Sequence, residues 1–295
     1  MKEIINIIQS CIVNNQVPVI AGPTASGKSE LAYSISDYFD IEIISADSRQ
    51  IYKYLDIGTA KPSEEILKKV PHRLISLITP DKNYSAAEFA DAANKHIIEI
   101  FRKKKLPVIV GGTGLYIKTL FDGIFEGPER NSEIRANLES KSNFELYEIL
   151  KKIDSYSSEK ININDKKRLI RAIEVFELTG ESITELKKNT KPVTEYKPFY
   201  IIMNKNRNEL YDRINMRAEI MIRNGWIEET QKILDMGYAS DCPAFEGLGY
   251  RDIIGYIEKK QKYDDMIENI KLYTRRYAKR QIIWFRHQLI PDKVI

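Results

Sequence analysis

The chain has 295 residues, 43% hydrophobic and 30% charged, enough to bury a sizeable core in one or two globular domains, which excludes a small cross-linked scaffold. A formal net charge of +4 with a sequence pI near 8.7 permits an anionic partner without requiring one. Cys11 and Cys242 cannot form a disulfide framework, no apolar run reaches the ~18 residues of a membrane span, and the first residues lack an uninterrupted apolar stretch of the secretory kind, so a cytoplasmic protein with no membrane segment is expected.

In chain order, Met1–Asn6 opens an amphipathic helix, and Val17-Pro18-Val19-Ile20-Ala21 reads as a strand. Residues 22–29, Gly22-Pro23-Thr24-Ala25-Ser26-Gly27-Lys28-Ser29, match the phosphate-cradling pattern G-x-x-x-x-G-K-[ST] in full, and a helical stretch, Glu30–Ile35, follows. A loop of small residues lets consecutive backbone N–H groups converge on one anion. The next helix N-terminus adds partial positive charge, and Lys28 adds a full one. Ser29 is placed to ligate Mg²⁺, the expected cofactor, which would neutralise charge on a departing diphosphate. The pattern calls for a ligand with at least two phosphates and leaves open whether it is a nucleotide.

Further strands are expected at Ile41–Ala46, Arg73–Ile78 and Pro107–Val110. Ser85 and Glu88 form a capping-box pattern for a helix from Ala86 to about Arg102, and Arg102–Lys105 reads as its solvated basic end. Beyond Ile124 the strand signal disappears until Phe199–Met203, and the chain from Arg207 is helical. The expected fold is α/β: a phosphate-loop (P-loop) NTPase-like parallel sheet flanked by helices, formed by residues 1–124 and 197–295, with an all-helical insertion domain at 125–196.

In such a sheet, ligands bind outside the carboxyl ends of the strands. Three segments fall there: the phosphate loop, Asp47-Ser48-Arg49-Gln50, and Gly111-Gly112-Thr113-Gly114. Asp47 can hold Mg²⁺ through water, act as a general base toward a second substrate, or cap a helix with Ser48. The hydroxyl of Thr113 can reach a bridging or leaving oxygen, or cap a helix. His72, His96 and His287 lack metal-ligand spacing and read as structural or surface residues.

The phosphate loop together with Ser45–Tyr52, Leu55-Asp56-Ile57-Gly58-Thr59-Ala60-Lys61-Pro62, Pro71-His72-Arg73, Tyr84-Ser85-Ala86, Val110–Tyr116 and Tyr277-Ala278-Lys279-Arg280-Gln281 resembles the tRNA dimethylallyltransferase (IPP transferase) family along nearly the whole chain. The resemblance implies that the diphosphate belongs to dimethylallyl diphosphate and that the five-carbon group moves to N6 of the adenosine 3′ of the anticodon, adenosine 37, in tRNAs reading codons that begin with U. It implies catalytic roles for Asp47 as base, for Thr113 toward the bridging oxygen and for Arg217 toward the pyrophosphate, with Arg213 as its companion. It also implies that tRNA, through its anticodon stem-loop, meets Asp47, Ser48, Arg49, Gln50, Thr113, Arg135 and the block Lys167-Arg168-Leu169-Ile170-Arg171, in a monomer.

Near the end of the chain Lys271, Arg275 and Lys279 repeat at i, i+4 and i+8, beside Arg276 and Arg280, as a possible phosphate track. Glu246 stands where the family usually carries glutamine and places a negative charge near RNA. Nothing like a Cys/His zinc module follows Trp284, as in the bacterial form. The rival readings are a nucleotide or small-molecule kinase and a nucleotide-dependent RNA-binding switch without transfer chemistry.

Overall fold

In the computed structural model, which describes residues 1–125, 127–188 and 190–295, the elements run α1 (Lys2–Val13), β1 (Gln16–Ala21), α2 (Lys28–Ser36), β2 (Ile41–Ser45), α3 (Glu64–Lys69), β3 (His72–Arg73), α4 (Ala86–Arg102), β4 (Leu106–Gly111) and α5 (Gly114–Asp122). Next come α6 (Ser132–Ser140), α7 (Asn143–Ile153), α8 (Ser155–Lys160), α9 (Lys166–Thr179) and α10 (Ile183–Lys187). The chain closes with β5 (Lys197–Ile202), α11 (Arg207–Arg223), α12 (Trp226–Asp235), α13 (Tyr250–Ile257), α14 (Tyr263–Gln288) and β6 (Lys293–Val294), with a 3₁₀ turn at Pro243–Glu246. The strands form one sheet, every neighbouring pair parallel, in the order β3-β2-β4-β1-β5-β6.

Continuous apolar runs become the central strands because helices cover both faces of the sheet and leave no polar side. Successive side chains alternate between those faces. Val17, Val19, Ala21, Ile44 and Ile109 pack with Phe89, Ile97, Ile117, Phe245 and Tyr250 on one side. Ile20, Ile43, Val108, Val110 and Ile201 pack with Ile4, Ile8, Ala32 and Ile35 of α1 and α2 on the other. The strands therefore end in register, and their loops emerge together at one edge of the sheet.

The strand expected at 73–78 shortens to His72–Arg73, because Leu74 and Ser76 adopt positive φ of 62° and 52°. The N–H of Ser76 donates to the Gln50 carbonyl, and those of Leu77 and Ile78 donate to the Ile51 carbonyl, so this segment braces the turn after β2. The capping box of α4 forms, with Glu88 and Ser85 exchanging hydrogen bonds. In the basic end of that helix, Lys103 pairs with Glu99 at 2.6 Å and Lys105 with Asp40 at 3.1 Å.

The chain divides into two compact units, residues 1–121 with 193–295, and residues 122–192. The boundary departs from the expected 125–196 at its far end: the N–H groups of Val193 and Thr194 donate to the Leu120 carbonyl inside the sheet unit. The second unit is helical, with its own core of Leu138, Leu146, Leu150, Leu169, Ile170 and Ile173. Side chains of Asn131, Ser142, Asp154, Asp165 and Ser182 cap its five helices. Among the described residues no helix is long and apolar enough to cross a membrane.

Candidate active site

The phosphate loop leaves β1 at a point of tight packing. Gly22 has φ of 152°, and a side chain there would come within 2.8 Å of the Met203 carbonyl oxygen after β5. Ala25 and Gly27 also take positive φ, 61° and 95°, and Gly27 starts α2 without any side-chain cap. The first amides of α2 are thereby left to an anion. Lys28 folds over the loop, its Nζ donating to the Pro23 carbonyl at 2.7 Å. Burial lowers its pKa to about 8, with Asp47 opposing that shift and Arg217 adding to it. Ser26 is buried, and its Oγ has no hydrogen-bond partner among the described residues. Arg213 supports the loop from α11, donating through Nε to the Ala25 carbonyl at 2.9 Å.

Asp47 follows β2 and is fixed at one oxygen. Its Oδ1 accepts the N–H of Arg49 at 2.8 Å and that of Gln50 at 3.4 Å, so the capping geometry and an available second oxygen coexist. The neighbouring loop holds this turn from behind: the N–H of Ser48 donates to Thr113 Oγ1 at 3.0 Å, and the N–H of Thr113 donates to the Ala46 carbonyl at 3.1 Å. Only glycine fits at 111, where a Cβ would collide with the Ala46 carbonyl. Gln50 ties in a further loop, donating to the Thr59 and Ala60 carbonyls at 3.2 and 3.3 Å and accepting from Ser45 Oγ.

These loops enclose a cavity of about 380 Å³ in the sheet unit. Thr24, Lys28, Ser29, Asp47, Arg217 and Gln281 form its polar end, and Ala218, Met221, Trp226, Leu248, Ile270 and Tyr277 line an apolar part. Ser48, Arg49 and Gln50 also face it. Arg217 is half-buried and has no hydrogen bond or ion pair among the described residues. Burial lowers its pKa, against the pull of Asp47 and Glu30. Two cations short of counter-charge at the end of a phosphate loop suit an anionic ligand. Burial, and next the charge of Asp47, push the Tyr277 hydroxyl up to about 12, so it stays neutral.

Ser29 and Asp47 both line this polar end. One hydroxyl and one carboxylate suit Mg²⁺, which takes few protein ligands when substrate phosphates supply the rest. No cluster of three or more His, Cys, Asp or Glu that could hold a metal occurs among the described residues, so these two donors would act together with a bound diphosphate.

Other expected residues stand elsewhere. Thr113 does not line the cavity, and its Oγ1 is engaged by Ser48. In the helical unit, Leu169 and Ile170 are buried in the core, which removes their side chains from any RNA-facing surface and corrects that expectation. Lys167 and Arg168 are exposed on α9, Arg168 pairing with Asp165 at 3.3 Å. Arg135 grips the fully buried Glu174 with both Nε and Nη2, at 2.8 and 3.0 Å, and Arg171 adds a bond at 2.8 Å. Burial opposes ionisation of Glu174, but the two guanidiniums and the Asn131 N–H outweigh it and bring its pKa to about 2. On α14, Lys271 bridges Glu219 and Glu268, and Arg275 donates to Asn215 at 2.5 Å. Both stitch α14 to α11, which leaves Arg276, Lys279, Arg280 and Arg286 as its exposed cations. Glu246 is exposed at the cavity wall.

Two contributors have no role in the motifs read from the sequence, although Gln281 closes one of them. Glu229 of α12 accepts the N–H groups of Asp56, Ile57 and Gly58 and the Tyr250 hydroxyl, fixing the loop that Gln50 holds. Gln281 joins the phosphate loop to Gly112: its Oε1 accepts the Thr24 N–H and its Nε2 donates to the Gly112 carbonyl, each at 2.9 Å. A one-sided local pattern could not reveal either, because the backbone partners lie 171 or more and 169 or more residues away in sequence.

Fold and site together define a phosphate-loop α/β protein that presents two desolvated cations, a tethered carboxylate and apolar side chains in one cavity. The family model "IPP transferase" matches residues 50–288. A tRNA dimethylallyltransferase of Alkaliphilus oremlandii is 46% identical over 273 residues, covering 91% of this chain and 87% of that protein. A crystal structure of the tRNA isopentenylpyrophosphate transferase of Bacillus halodurans superposes with a TM-score of 0.70 at 35% identity, over 95% of this chain and 89% of the other. A eukaryotic dimethylallyltransferase acting on tRNA gives a TM-score of 0.80 at 27% identity, over 94% of this chain and 71% of its own. The chain belongs to the IPP transferase family.

Proposed function

We propose that this chain moves the dimethylallyl group of dimethylallyl diphosphate to N6 of the adenosine 3′ of the anticodon, position 37, in tRNAs that read codons beginning with U. It is a prenyl transferase acting on tRNA, and family membership favours this over the kinase reading. The observation that carries the finer reading is the meeting, in one cavity, of Lys28 and Arg217 with an Asp47 carboxylate whose Oδ1 is anchored by two backbone N–H groups.

In this reading the diphosphate lies against the amides at the start of α2, with Lys28 and Arg217 on its oxygens. The N6 lone pair attacks C1 of the dimethylallyl group, the C1–O bond breaks, and its electron pair leaves with the diphosphate, where those cations offset the developing charge. Asp47 takes the proton from N6 at its free oxygen. A positioned base matters here because the amine lone pair is delocalised into the ring. Thr113 stands behind the cavity and serves the reaction by holding the turn that carries Asp47, accepting the Ser48 N–H. Mg²⁺ accompanying the diphosphate would be held by Ser29 and would offset leaving-group charge, which leaves the free Asp47 oxygen for the proton. The apolar wall around Met221 and Trp226 excludes water from the reacting carbon.

For the tRNA, exposed Lys167 and Arg168, and the Arg135 and Arg171 pair set by Glu174, offer phosphate contacts to the anticodon stem-loop from the helical unit. The adenosine must leave the loop stack to enter the cavity, at a cost of a few kcal/mol that a single-stranded loop reduces. The test is Asp47→Asn, which keeps size and an acceptor oxygen but cannot take a proton. Single-turnover transfer should slow by about 10²-fold or more while dimethylallyl diphosphate binding stays within a few-fold. A variant as fast as the parent would remove the base.

A further inference from the structure

The residue that the proposed chemistry leaves without a task is Gln281, inside the motif Tyr277–Gln281 of α14. It is buried, 7% exposed, at the polar end of the cavity. Its carboxamide spans two strand-end loops, holding the Thr24 N–H of the phosphate loop and the Gly112 carbonyl of the loop after β4. The second loop continues into Thr113, whose Oγ1 holds Ser48, adjacent to Asp47. One side chain thus closes a path of hydrogen bonds and adjoining backbone from the phosphate loop to the carboxylate. Gly112 fits the same design, since a Cβ there would sit 2.5 Å from Gln281 Nε2 and 3.3 Å from the Gly22 carbonyl oxygen.

We infer that Gln281 is a positioning residue, which sets the distance between the diphosphate cradle and Asp47 by tying the two loops together, and so governs the rate of transfer at saturation. The inference rests on the transferase reading above. An amide suits the task because it donates at one end and accepts at the other without charge, whereas a carboxylate would repel both the Gly112 carbonyl and the diphosphate. In the low-dielectric cavity, loss of the clamp leaves a backbone donor and acceptor unpaired and lets the loops separate. A small displacement between reacting groups is enough to slow transfer.

The test compares the parent with Gln281→Met, which keeps length and removes both hydrogen bonds, Gln281→Glu, which keeps only the acceptor, and Gly112→Ala, which attacks the same contact from the other side. Transfer from dimethylallyl diphosphate to tRNA is followed at saturating substrates, with thermal melting as the check on folding. The expected result is a fall in kcat of about tenfold or more in each variant, with KM for tRNA within about twofold. Gln281→Glu should also bind inorganic pyrophosphate more weakly. The double variant Gly112→Ala with Gln281→Met should be no slower than the slower single variant, because the contact can be lost only once. If Gln281→Met fails to fold, Gln281→Glu and Gly112→Ala carry the comparison. Folded variants with parental kcat, or additive losses in the double variant, overturn the inference. A parent protein that transfers nothing would instead overturn the transferase reading.

Discussion

Lys28 shows how one residue can be costly to the empty protein and useful to the occupied one. Its ammonium is held at about 8 by burial, below the usual lysine value of 10.5. Between those values the unfolded chain binds more protons than the folded chain, so folding stability rises with pH through that window, and the desolvation cost is fully present below it. A diphosphate placed beside Lys28 favours the charged form and raises the pKa again. Binding of dimethylallyl diphosphate near pH 8 should therefore take up protons, read by titration calorimetry in buffers of different ionisation enthalpy. Uptake should be larger in the parent than in Lys28→Met, and equal uptake in the two would contradict the cradle. Arg217, also desolvated and unpaired among the described residues, adds a charge that cannot titrate near neutral pH.

Among the elements, α9 shows where a sequence motif and a structure part company. The block 167–171 matches one family motif, yet its residues serve three purposes: Lys167 and Arg168 face solvent, Leu169 and Ile170 build the core, and Arg171 joins Arg135 on buried Glu174. Glu174 has its carboxyl lowered from 4.5 to about 2, so its contribution to stability is complete above pH 4.5 and is lost as pH falls toward 2. That span corresponds to about 3 kcal/mol as an upper estimate. Hydrogen exchange of amides in residues 132–179 should show a steeper loss of protection across the window in the parent than in Glu174→Gln, which is already less stable at neutral pH. Parallel curves would separate Glu174 from the stability of this unit. The pairing of Arg171 with Glu174 is a local i, i+3 relation and was open to reading, as was the apolar spacing that buries Leu169 and Ile170. The bond from Arg135, 39 residues from Glu174, was not. The same division holds in the sheet. Strands β1, β2, β4 and β5 were legible because both of their neighbours reinforce an apolar run, while β3 lost most of its length to hydrogen bonds with the 50–51 turn. The two-residue β6, paired at Ile201 and Ile202, carries no pattern of its own.

For the whole molecule, a net charge of +4 is modest, and its placement matters more than its size. Several cations are already spent on structure: Lys271 and Arg275 on α11, Lys103 and Lys105 on acidic neighbours. The exposed remainder includes Lys167 and Arg168 in the helical unit and Arg276, Lys279 and Arg280 on α14 of the sheet unit, and each unit thus offers charge to a polyanion. The sheet unit supplies the chemistry, because loops at strand ends can bring a phosphate cradle and a carboxylate into one cavity while helices on both faces keep the strands fixed. The central claim is that this cavity hands a five-carbon group from diphosphate to an adenine nitrogen. Its most direct measurement is mass analysis of nucleosides from tRNA incubated with the purified protein, Mg²⁺ and dimethylallyl diphosphate, with ATP in a parallel reaction. The expected product is N6-dimethylallyladenosine at the position 3′ of the anticodon, with pyrophosphate released only when both tRNA and the prenyl donor are present. Unmodified adenosine, together with phosphate transfer from ATP to a small acceptor, would contradict it.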